Sequence, residues 1–68
     1  MTPERIKHIR VFLGRTQAQM ANLVTSTAIT IGRWERGESK PSPIFLEKLV
    51  KLDNYAKKME ESYKTEKV

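Results

Sequence analysis

The residues best suited to chemistry lie in one stretch, Ile29–Ser42, which reads ITIGRWERGESKPS. Arg33 and Arg36 stand three positions apart, so a helix carries both on one side, and Lys40 follows in a loop. A guanidinium is a planar fork of N–H donors that grips a phosphate or the two acceptors of a guanine edge. Ala28, Ile29 and Gly32 share that side. A plain solvated flank would carry Glu, Lys or Gln there, whereas small and apolar side chains suit a surface that approaches another backbone closely. The plainer readings stay open beside these. Arg33 can be a solvated charge or a phosphate contact only. Gly32 can be a tolerated weak spot, about 1 kcal/mol less favourable than alanine.

Catalysis finds little support. The chain has no cysteine, which removes a thiolate nucleophile, a disulfide staple and a thiolate metal site. The single histidine, His8, cannot hold a metal alone and lies away from Ile6 and Leu13, a surface position with no evident acidic partner. Glu60-Glu61 falls on a charged segment with no pocket to shift a pKa. The expectation is therefore no enzyme, no metal, no cofactor and no small-molecule ligand. Trp34, the one tryptophan, reads as a core residue that fills much of a small interior. Its alternative, a platform for stacking bases, lacks a second aromatic beside it.

These residues need elements to hold them, and helix signals recur along all 68 positions. Thr2-Pro3 pairs an N-cap with proline at the first helical position, and Ile6, Ile9 and Leu13 follow at helical spacing until Gly14. Thr16 and Gln19 make a capping box ahead of Met20, Ala21 and Val24. Thr27 caps a third helix that ends at Gly37. On it Thr30, Ile31 and Trp34 form the inward flank, with Glu35 at its edge. Ser42-Pro43 repeats the opening device, and Phe45, Leu49 and Leu52 give a fourth stripe, continued by Ala56, Met59 and Tyr63. Asp53-Asn54 is read as a break, so helices are expected at about 3–13, 17–24, 28–36, 43–53 and 55–64, with fraying from Lys64 to Val68. The fold class is all-α, four to five helices in a single domain over 1–68, its core at 3–53 and a C-terminal helix or extension at 54–68.

A chain this short gains only about 3–5 kcal/mol from one core, so tight helix packing or a partner is expected to help. Net charge is +5, and it is uneven. Residues 1–41 hold seven basic and three acidic side chains, against six and five in residues 42–68. The excess in the first part points to a polyanion. No apolar run approaches the length of a membrane span, and the first residues do not resemble a secretory signal, so a cytoplasmic protein is expected.

Thr16-Gln17, Met20-Ala21, Val24, Thr27, Ile31, Arg33-Trp34-Glu35-Arg36-Gly37 and Lys40-Pro41-Ser42 together resemble the lambda-repressor-like helix-turn-helix family, also called Cro/repressor-type or XRE. Ile6, Ile9-Arg10 and Leu13-Gly14 fit its first helix, and the likeness covers about residues 4–52. The resemblance implies a transcriptional regulator, a repressor by its type, that binds double-stranded DNA and is usually a dimer. By position it implies that Thr16 and Gln17 start the helix that meets a phosphate. It places Ala28, Ile29, Gly32 and Arg33 at base-reading positions and gives Thr27 a cap that touches phosphate or sugar. Arg36 and Lys40 match backbone contacts, and Arg10–Glu35 a structural ion pair. Arg15 is expected to add to phosphate neutralisation, although it stands where the family usually has an apolar residue. Thr25 replaces the family's turn glycine and Ser26 an apolar turn residue, so Thr25 is expected at positive φ. A homodimer seam is expected at Ala56, Met59 and Tyr63, with folding back onto the domain as the other reading of that stripe. The rival to DNA binding keeps the fold and makes it a protein-interaction or adaptor module, of antitoxin-like or coactivator-like kind.

Overall fold

Thr2 opens the first helix by accepting the Arg5 N–H on its Oγ1 at 3.1 Å, with Pro3 beside it where no donor is needed. A computed structural model of the chain describes residues 1–66, with side chains through Tyr63. The helix so opened, α1, spans Pro3–Phe12. Gly14, at φ 66°, turns the chain out of it. Thr16 and Gln19 then exchange hydrogen bonds at 3.1 and 2.9 Å, and this capping box starts α2, Gln17–Val24. Thr27 accepts the Thr30 N–H and starts α3, Ala28–Arg36, which Gly37 ends at φ 76°. Ser42 accepts the Leu46 N–H at 2.8 Å through its carbonyl, and α4 runs from Pro43 to Glu66.

The turn between α2 and α3 is the unusual piece of backbone. Thr25 sits in the left-handed region at φ 61°, ψ 49°, as its replacement of the turn glycine predicts. It is the one described non-glycine residue with positive φ. The ammonium of Lys48, from α4, donates to Thr25 Oγ1 at 3.2 Å and to the Val24 carbonyl at 3.4 Å. A long side chain from another helix thus occupies the end of α2, where free carbonyls favour a cation.

The core collects Ile6, Ile9, Met20, Ala21, Val24, Ile31, Trp34 and Leu49, all buried, with Leu13, Phe45 and Leu52 packed around them. α3 packs on α2 and α1, and α4 packs on α1 and α2. Trp34 is buried against Phe45, ring centres 5.5 Å apart, so the indole belongs to the core as its position on the inward flank predicts. A 24-residue helix is about 36 Å long. α4 therefore sets the long axis of a molecule measuring 40 × 21 × 19 Å.

The expected break at Asp53 is absent: one helix passes through Asp53 and Asn54, and the described residues form four helices rather than five. The reason is non-local. The Asp53 carboxylate does not cap anything; it accepts from Arg5 Nε of α1 at 2.7 Å and lies 3.5 Å from Lys57 one turn on. Nor is Ala56 part of an exposed seam, since it is fully buried within the chain. The stripe folds back onto the domain at Ala56, while Met59 is half-buried and Tyr63 exposed. As for the expected fraying, α4 continues to Glu66, and Lys67 and Val68 lie outside the described residues.

Candidate nucleic-acid interface

α3 is only nine residues long and includes Gly32 and three β-branched side chains, so its own propensity is poor. It is held from outside. Ile31 and Trp34 anchor its inner side, fully buried or nearly so. Thr27 and Gly37 secure its two ends. Glu35 ties it to α1 through a two-pronged contact: Oε2 accepts from Arg10 Nε at 2.6 Å and Oε1 from Arg10 Nη2 at 3.0 Å. The two side chains are 5% and 15% exposed, so the pair is largely sealed from water. The hydrogen bond that Arg10 donates to Glu35, opposed by burial and assisted by the carboxylate's charge, raises the Arg10 pKa still further.

The outward side carries what the sequence places there, with one revision. Ile29 is 70% exposed, Arg33 and Arg36 are exposed, and Ala28 is half-buried. Gly32, expected to face outward, is buried instead. A Cβ at this position would meet Arg36 Nη1 at 3.0 Å and both amide atoms of Gln17 at 3.5 Å. The close approach that favours glycine is therefore made by the protein's own side chains. Gln17, half-buried at the start of α2, also donates to Glu35 Oε1 at 3.4 Å. One carboxylate thus steadies the first turn of α2 and the last turn of α3 at once.

Around this centre stand exposed polar groups. Thr16 and Thr27 cap the starts of α2 and α3, where helix dipoles favour an anion. Lys40 is exposed in the loop after α3. Arg36 is engaged by Glu38, two residues on. Its hydrogen bond first, then its charge, hold the Glu38 carboxyl below the usual carboxylate range. A phosphate reaching Arg36 must displace that carboxylate. Arg15, exposed and next to Thr16 in the chain, also lines a groove with Phe12, Leu13 and Leu23.

Beyond Arg5–Asp53, two more contacts escape sequence reading. His8 does have an acidic partner, because its Nε2 lies 2.6 Å from Glu60 Oε1, 52 residues away. Lys48, which braces the Thr25 turn, is 23 residues from it, and no local pattern signals the meeting. Glu38 beside Arg36 is different, since the two-residue spacing is visible in the chain.

Among the described residues no group of His, Asp or Glu is arranged to hold a metal, and no helix is long and apolar enough to cross a membrane. No curated protein and no solved structure matches the chain. The family comparison is positive: the helix-turn-helix family, of XRE or lambda-repressor-like type, matches residues 6–61, which include every residue of the arrangement just described. With four helices, a capped α2–turn–α3 unit and that match, the chain belongs to the XRE, lambda-repressor-like helix-turn-helix family of DNA-binding regulators.

Proposed function

We propose that this chain is a sequence-specific repressor that lays α3 in the major groove of duplex DNA. The observation that carries the reading is the two-sidedness of α3. Ile31 and Trp34 are buried while Ile29, on the same short helix, is 70% exposed beside an exposed Arg33. An exposed isoleucine at the N-terminal half of a helix fits a thymine methyl better than it fits water. Arg33, unlike Arg36 not engaged by Glu38, bonds guanine O6 and N7 together, worth ~1–3 kcal/mol of discrimination. Ala28 adds a small apolar contact at the groove floor.

Thr16, Gln17 and Thr27 take phosphate or sugar through capped helix starts, and Arg36 and Lys40 take phosphates as cations. Gly32 acts indirectly, by admitting the Gln17 and Arg36 side chains across α3. Two copies occupy a two-fold operator with half-sites about one helical turn apart. Ala56 takes no part in their pairing, since it is covered within each copy.

Gel retardation of random duplex over a salt series tests the reading, followed by selection from random sequences. Retardation at low salt that falls steeply with added salt, and a selected palindrome, are expected. No retardation at low salt would replace DNA binding with the adaptor reading. Sedimentation with and without the selected duplex tests the two-copy arrangement.

A further inference from the structure

An open groove of about 500 Å³ runs between the end of α1 and the C-terminal half of α4. Its walls are Phe12, Leu23, Leu52, Tyr55, Met59 and Tyr63, and it shares no residue with the base and phosphate contacts proposed above. Leu23, Tyr55 and Tyr63 are 47%, 54% and 52% exposed, so large apolar side chains stand open along one line. Tyr, Phe, Met and Arg are the side chains enriched in protein interfaces, and here they occur together, Arg15 being the only charged lining group among the described residues. From Leu52 to Tyr63 the α4 wall is about 17 Å long, enough for three turns of a helix.

We propose that this groove docks an acidic amphipathic helix of another protein. The charge around it selects that occupant. No acidic residue lines the groove among the described residues, and Arg15 does. Lys51 and Lys58 flank Tyr55 at four residues before and three after, so one turn either side of the groove wall carries a cation. Lys51 has only an exposed contact of 3.9 Å with Glu47, and neither Arg15 nor Lys58 has an acidic partner among the described residues. Glu60, the carboxylate nearest in sequence to the wall residue Met59, is held by His8. A second copy docked groove to groove would bring two basic rims together. A helix with Leu or Phe at successive turns and Glu along its edges meets both the apolar floor and the basic rim.

The test uses the full chain and a fluorescent synthetic peptide of about 16 residues, with Leu and Phe anchors one turn apart and Glu elsewhere. Two comparison peptides replace every Glu by Lys, or every anchor by Ser. The acidic amphipathic peptide should bind at least about tenfold more tightly than either comparison. Amide shifts in NMR should centre on Leu23, Leu52, Tyr55 and Met59. Leu23→Glu and Tyr55→Glu should each weaken the peptide about tenfold, and Lys58→Glu by less, with retardation of duplex DNA unchanged. Equal binding of the Lys peptide would overturn the proposal. So would shifts centred on Arg33, Arg36 and Lys40, which would mean that the peptide imitates phosphate. Sedimentation as a dimer that Leu23→Glu dissociates would also overturn it, by assigning the groove to a second copy.

Discussion

Thr25→Gly is the substitution that most directly probes the turn on which α3 is mounted. The threonine is β-branched and held at φ 61°, a conformation that costs an L-residue about 1–2 kcal/mol. Glycine removes that cost. Two effects oppose the gain. A glycine has more freedom to lose on folding, about 0.4–1 kcal/mol. The Lys48 hydrogen bond to Thr25 Oγ1, 3.2 Å long and exposed, also goes, at roughly 0.5 kcal/mol, the low end for such bonds. The middle of these ranges nearly cancels, so the glycine variant should match the parent within about 0.5 kcal/mol.

Thr25→Val separates the effects, because valine keeps the β-branch and the strain while losing the hydroxyl. It should be less stable than the parent by about 0.5–1 kcal/mol and melt several degrees lower, since ~1 kcal/mol shifts a domain of this size by about 4–8 °C. Urea and thermal unfolding followed by circular dichroism measure both variants. Lys48→Met should cost less in the glycine background than in the parent, with only the Val24 carbonyl left to lose. A glycine variant weaker than valine would show that the left-handed backbone does not govern this turn.

The remaining predictions concern α3 and its tether. Glu35→Gln leaves the largely sealed Arg10 cation poorly paired and should lower unfolding free energy by about 2–4 kcal/mol, whereas Arg10→Met with Glu35→Leu should recover most of it; equal losses in the single and double variants would deny the pair any coupling. Arg36→Ala should weaken binding to all duplexes alike and reduce the salt slope by about one contact, while Arg33→Ala relaxes preference at one base pair. A selected sequence profile that Arg33→Ala leaves unaltered would reject its role at a base edge. Glu38→Gln frees Arg36 and removes a negative charge beside the phosphates, so affinity at low salt should rise and the gain should shrink as salt is added. Because the Glu38 pKa is depressed in the folded chain, its contact with Arg36 is present above the ordinary carboxylate range. It is lost as pH falls through the lowered value, so acid titration of the parent should move its binding toward that of the Gln variant.

The helix ends were the most legible part of this chain because capping is a contact across three residues. Thr2, Thr16, Thr27 and Gly37 each act within one turn of where they stand. The sidedness of α3 is legible for the same reason, since Ile31 and Trp34 differ from Ile29 and Arg33 by helical angle alone. Distance in sequence is what hides the rest. Asp53 looks like a cap until Arg5, 48 residues upstream, claims its carboxylate. The Ala56–Met59–Tyr63 period declares a stripe but not which members α1 covers, and only Ala56 is fully sealed. Gly32 shares a helical flank with Arg33, yet the side chains of Gln17 and Arg36 close over it. Arg10–Glu35 came from family likeness, because a spacing of 25 residues carries no periodic signal.

A helix of nine residues with a glycine inside would be marginal alone, and that weakness has a consequence for the reading of DNA proposed for α3. Its geometry is supplied by Ile31 and Trp34 in the core, by its two caps and by Glu35 on Arg10. None of these is one of the side chains proposed to meet a base edge. Ala28, Ile29 and Arg33 are therefore relieved of stabilising the helix that displays them. Side chains that contribute little to folding can be exchanged for others without loss of the scaffold, and a change of sequence preference then asks nothing of the core. The same logic applies at the other end of the molecule, where Tyr55 and Leu23 stand open on helices secured by Leu49, Ala56, Met20 and Val24. Four helices in this way keep two surfaces free of structural duty, one basic and narrow on α3, the other apolar with a basic rim along α4.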